Sequence, residues 1–197
     1  MLSVSKCVAL CALIAAPVMA YAIPITFTQT STASGMLGST SFTDATITFT
    51  QVTDTSANTF SGGLYRNLAG VTTVTIDGVG TATFASSTLG FSVEPSFPGE
   101  ALYDSSNTFA LGVFGPVFAS YQMDSDLGPL TGDLINNGFG ITEGTSMGAF
   151  SLSSTSDFTY TASTGAPTPE PSSLALLASG LLGIAGIARR RFRPVSN

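Results

Sequence analysis

Between residues 23 and 165 threonine and apolar side chains alternate with a period of two, and no long helical periodicity interrupts them. In Ile23-Pro-Ile25-Thr-Phe27-Thr the residues Ile25 and Phe27 fall on one face and the threonines on the other. Ala45-Thr-Ile47-Thr-Phe49-Thr-Gln-Val52 repeats the pattern. Val74 to Phe84 reads as two strands joined by a tight turn at Asp77-Gly78. Alternation of this kind is what half-buried antiparallel strands require. Phe109 to Phe114 and Val117 to Tyr121 read as a further pair broken at Gly115-Pro116, with Phe150-Ser-Leu152 and Phe158-Thr-Tyr160 completing the set. Strands recurring every 8 to 12 residues or so, with turn signals between, predict an antiparallel β-sandwich or a jelly-roll-like domain. Thirteen of the 14 Phe lie in this stretch and are expected to form its core.

Both ends are different kinds of polypeptide. Lys6 lies near the start, Arg189, Arg190, Arg191 and Arg193 near the end, and only Arg66 between them, while all 12 acidic residues fall between Asp44 and Glu170. One positive charge, an apolar run from Val8 to Val18 and then Ala20-Tyr21-Ala22 fit a signal peptide over residues 1–22, with Ala20 and Ala22 at the cleavage site. Signal peptidase is the implied processing enzyme, and the mature chain begins near Ile23. Cys7 and Cys11 are then lost, leaving neither disulfide nor thiol nucleophile.

Toward the C-terminus, residues 163–168 read as a short flexible linker after a β domain of residues 23–162. Pro169, Glu170 and Pro171 follow, in a segment that proline keeps extended. Residues 172–188 carry no charge. As a helix they span about 25 Å at 1.5 Å per residue, close to the roughly 30 Å of a bilayer's hydrocarbon core. The Arg189 to Arg193 cluster then holds that end of the transmembrane helix in the cytoplasm. An outer-membrane barrel shares the strand alternation, but a C-terminal apolar helix with an arginine stop does not suit one.

Proline-glutamate-proline, an apolar helix and a terminal arginine cluster, together covering residues 169–194, resemble the PEP-CTERM sorting signal. The phrases at residues 41–50 and 74–84 also look like stretches of short exported PEP-CTERM proteins. The resemblance implies processing by an exosortase and an inner-membrane precursor whose domain lies outside. It further implies a destination in the cell envelope or extracellular matrix, in the company of exopolysaccharide or biofilm. A plain C-terminal membrane anchor is the competing reading of the same residues.

For chemistry the domain offers little. It contains no His, so imidazole metal sites and His-based triads are excluded. Arg66 against eleven carboxylates leaves residues 23–165 at a formal −10, which excludes nucleic-acid binding through a basic patch. Asp124 and Asp126, with Asp133 nearby, form the densest acidic cluster and a candidate Ca²⁺ loop, set against a solvated turn. No other cofactor is implied. Glu94, Glu100 and Glu143 are the carboxylates available to a glycoside hydrolase, although Glu94-Pro95 and Pro98-Gly99-Glu100 read as turns and there is no Trp to stack on a sugar. Arg66, beside Gly62-Gly63, reads as a turn or solubility residue. The expectation is a non-enzymatic exported protein. A carboxylate-only secreted glycoside hydrolase and a Ca²⁺-dependent carbohydrate-binding module are the alternatives.

Overall fold

The computed structural model describes residues 23–165, apart from 107, 108, 133 and 137. The expected signal peptide with Ala20 and Ala22, the candidate ligand Asp133 and the sorting signal with Pro169, Glu170, Pro171 and the arginine cluster lie outside the described residues. In chain order the strands are β1 (Pro24–Leu37), β2 (Thr40–Asp54), β3 (Thr59–Ser61), β4 (Leu64–Asn67), β5 (Val71–Ile76), β6 (Gly80–Thr83) and β7 (Leu89–Glu94). They continue with β8 (Gly99–Asp104), β9 (Phe109–Phe114), β10 (Leu127–Thr131), β11 (Leu134–Asn136), β12 (Thr142–Thr145) and β13 (Gly148–Thr164). Two short 3-10 turns, Thr55–Ala57 and Pro116–Ala119, are the only helical elements among the described residues. None of the described helices is long and apolar enough to cross a membrane.

These strands make two antiparallel sheets. Sheet A runs β10-β13-β1-β2-β5-β6, with β12 also paired to β13. Sheet B runs β11-β9-β8-β7-β4-β3. Hairpins between sequence neighbours dominate: β1 with β2, β5 with β6, and β7 with β8 with β9. The Asp77-Gly78 turn sits between β5 and β6 as the sequence predicts; Gly78 takes φ 77°, which a residue without Cβ adopts freely.

One core joins the sheets. Ile25 and Phe27 from β1, Ile47 and Phe49 from β2, and Val74 and Ile76 from β5 point inward, with at most 1% of their surface exposed. Sheet B answers with Phe91, Val93, Leu102 and Leu111, all buried. The Phe27 and Phe91 rings lie 5.5 Å apart across the interface, and Phe91 and Tyr160 lie 6.1 Å apart. Burying side chains of this size is worth about 1.5–3 kcal/mol each.

Several expectations are corrected. Residues 116–119 form a 3-10 turn where a strand over Val117 to Tyr121 was predicted. Proline at the start disfavours strand pairing, and fully buried Phe118 anchors the turn against Tyr160 at 5.7 Å. Phe150 and Phe158 belong to one 17-residue strand, β13, with a register shift that Asp157 (φ 56°) accommodates. This strand runs through Ser163 and Thr164, which pair with Thr26 and Ile25, so the linker expected at 163 begins two residues later at the earliest. The core takes most but not all of the phenylalanines: Phe60, Phe97 and Phe139 are exposed.

Candidate functional site

Strands β7 and β9 alternate large with small residues, Leu89-Gly-Phe91-Ser-Val93 and Phe109-Ala-Leu111-Gly-Val113, and flank β8. The large set faces the core and leaves the small set on the outer face of sheet B. Register brings Ser92 beside Ala101, Ala101 beside Gly112 and Tyr103 beside Ala110. A Cβ on Gly112 would stand 1.8 Å from the Glu100 carbonyl oxygen, so only glycine permits this strand contact. Taller residues surround the small floor, and the result is a cavity of about 260 Å³. Ser92, Ala101 and Ala110 form its floor, while Tyr103, Phe97 and Ile135 stand around them and Glu94 sits at the rim. Phe97 is 61% exposed and is held edge-on by Phe114 at 4.7 Å.

Arg66 belongs to this face rather than to a turn. It lies in β4 opposite Ser92, and its guanidinium sits 5.3 Å above the centre of the Tyr103 ring. That cation–π contact accounts for its place on the strand. Its Nε is buried and has no hydrogen-bond partner among the described residues.

Behind the floor lies a buried acid. Glu100 belongs to β8 and is completely buried, where the sequence suggested a turn. Its carboxylate accepts a 2.7 Å hydrogen bond from Gln29 Nε2, which also donates to the Leu111 carbonyl at 3.0 Å. Burial pushes the Glu100 carboxyl well above its ordinary range, and the Gln29 hydrogen bond offsets this only in part. Glu100 Oε2 has no partner among the described residues. Burial, with Glu100 and Tyr121 nearby, also raises the Tyr160 hydroxyl. A second glutamine pins the sheets at another point: Gln51 donates to the Asn67 carbonyl at 3.1 Å and accepts from Phe91 N at 3.3 Å. Sequence reasoning passed over both glutamines. Their signal was the phase, since Gln29 follows Ile25 and Phe27, and Gln51 follows Ile47 and Phe49, on the inward side.

The three glutamates considered for hydrolysis stand on different elements. Glu94 is exposed at the end of β7, Glu100 is in the core, and Glu143 is buried on β12 opposite Phe150. Asp124 and Asp126 are exposed, and Asp126 Oδ1 accepts from Thr164 N at 2.5 Å and Thr164 Oγ1 at 2.7 Å. Those two bonds hold the Asp126 carboxyl below its ordinary value and fasten the loop to the end of β13. Among the described residues no three acidic, His or Cys side chains come together as a metal site. Asp104 is held by three donors: Ser86 Oγ, Thr88 Oγ1 and Ser106 N donate to it at 2.6, 2.5 and 2.7 Å. Desolvation works to raise its pKa, but these donors outweigh it and leave the carboxyl below its ordinary value.

Residues 167–191 match the PEP-CTERM protein-sorting motif. The motif implies an exported protein, sorted by an exosortase from a membrane-anchored precursor. No curated protein and no solved structure matches the chain.

Proposed function

We propose that this chain is a non-enzymatic protein of the cell envelope or extracellular matrix, delivered there by an exosortase, whose β domain holds neutral stretches of extracellular polysaccharide in the groove of sheet B. The sorting motif at residues 167–191 carries the reading. Its chemistry suits the task. Proline on both sides of Glu170 restricts the backbone dihedrals open to the tag, and a segment so restricted loses less entropy on binding. The groove adds a ligand class. Phe97 and Tyr103 offer ring faces to the apolar side of a sugar, Ser92 and Glu94 offer polar groups for its hydroxyls, and the volume suits a small segment of chain. A formal −10 over residues 23–165 disfavours polymers rich in uronate or sulfate.

Incubating the purified protein with the producing strain's own polysaccharide tests the reading. Retention on the polymer with no change in polymer length is the expected result. Shortened polymer would instead assign a hydrolase, and absence of retention would remove polysaccharide as the partner.

A further inference from the structure

Arg66 is the single basic side chain among the described residues, set against eleven carboxylates in residues 23–165. Its neighbours belong to the groove. Leu64 precedes it by two positions and so shares its face of β4. Ser92 stands opposite it on β7, and the Tyr103 ring lies under its guanidinium at 5.3 Å. All three of these residues line the cavity.

With so many acids in the domain, a carboxylate is the expected neighbour of this cation, yet among the described residues none pairs with it. Glu94, the acid at the rim of the same cavity, accepts instead from Ser96 Oγ at 3.2 Å. Arg66 Nε is buried and has no hydrogen-bond partner among the described residues. A buried donor left unpaired works against stability. An arginine kept for solubility alone would extend into water, where every donor is hydrated. Here the aromatic ring fixes the guanidinium beside the cavity instead. Nε is shut off, and the two Nη groups are left to a ligand.

Charge selects that ligand. A planar, permanently charged fork held on a ring suits an oxyanion, which it binds through short charge-assisted hydrogen bonds. The surroundings limit the number of such groups. Glu94 at the rim and the formal −10 of residues 23–165 repel further acids. Screening over about 8 Å at physiological ionic strength confines the attraction of Arg66 to its own vicinity. The fit is a polymer that is neutral along the groove and carries an isolated acid beside it. We propose that Arg66 is a specificity-determining residue of the groove, holding one acid substituent, a carboxylate or a sulfate ester, on an otherwise neutral stretch of polysaccharide. The proposal rests on the polysaccharide reading of the groove and adds which polymers the groove selects.

The test uses the full chain in a non-ionic detergent and the producing strain's own polysaccharide in three forms: native, carboxyl-reduced and desulfated. Binding is titrated for wild type, Arg66→Met and Arg66→Lys, and thermal melts establish that each is folded. Wild type should hold the native polymer about tenfold more tightly than one of the two treated forms. Loss on carboxyl reduction assigns a carboxylate, and loss on desulfation a sulfate ester. Arg66→Met should bind the native polymer only as tightly as wild type binds the acid-free one, and binding of the acid-free form should be the same in both proteins. Arg66→Lys, which keeps the charge without the fork, should fall between them. Wild type that holds all three forms equally would overturn the proposal and leave the groove reading standing, as would a bound polymer that contains no acid group. A folded Arg66→Met that still prefers the native polymer would also overturn it. Absence of binding to any form would overturn the groove reading and this proposal together.

Discussion

Buried carboxylates set the protein's response to pH, and two of them act in opposite directions. Glu100 binds its proton more tightly folded than unfolded, because burial raises its pKa above 4.5. Its favourable contribution is complete below that ordinary value and declines as pH rises toward the folded value, by about 1.4 kcal/mol for each pH unit in the window. Glu100→Gln keeps the shape of the neutral acid and removes the titration. Urea midpoints measured from about pH 5 to about pH 8 should fall in wild type more than in Glu100→Gln; parallel profiles would mean that Glu100 stays ionised. Asp104 has the opposite sign. Its folded pKa lies below 3.8, so its stabilisation is present above that value and is lost as pH falls through the folded one. Asp104→Ala removes the acceptor shared by the Ser86 and Thr88 hydroxyls and Ser106 N, and should cost about 1–3 kcal/mol at neutral pH, read as a drop in melting temperature. A loss under about 0.5 kcal/mol would show that water replaces the carboxylate. Among the described residues Glu100 also illustrates what local reading misses: Pro98-Gly99 before it is a turn signal, yet the next residue already lies in β8 and points into the core.

Long strands were the legible elements, because period-two alternation survives over β1 and β2 and the Asp77-Gly78 turn has one economical geometry. Short elements were less so. Val117 to Tyr121 has apolar residues in strand-like proportion, but the proline before it and the depth of Phe118 decide for a 3-10 turn. Register was not legible at all, and register is what assembles the groove from Ser92, Ala101 and Ala110 on three strands. The usable hint was that β7 and β9 alternate large with small rather than apolar with polar. Filling the floor offers a direct check. Ala110→Leu fills the groove from a position only 9% exposed, so crowding should cost about 1–3 kcal/mol while the domain stays folded and retention on the polysaccharide is lost. Unchanged retention would place the sugar elsewhere.

At the scale of the whole molecule, a β domain is joined to a sorting address. The address was readable because its signals are compositional and ordered: a Pro-Glu-Pro triplet, an uncharged stretch and an arginine cluster, with residues 167–191 matching the motif. The domain's ligand was not readable, because its face chemistry depends on pairings between residues far apart in sequence. Glu170→Ala preserves the prolines, the apolar stretch and the arginines, so anchoring should persist while recognition fails. The variant should then accumulate in the membrane as precursor; release at the wild-type level would mean that the tag is not read through its charge. The most direct measurement of the sorting claim is the intact mass of the wild-type protein released by a host that carries an exosortase. The expected species begins near Ile23 and lacks Arg189 to Arg193. Wild type found solely in the membrane fraction of that host, with the arginine cluster still attached, would contradict exosortase sorting and leave a permanent anchor.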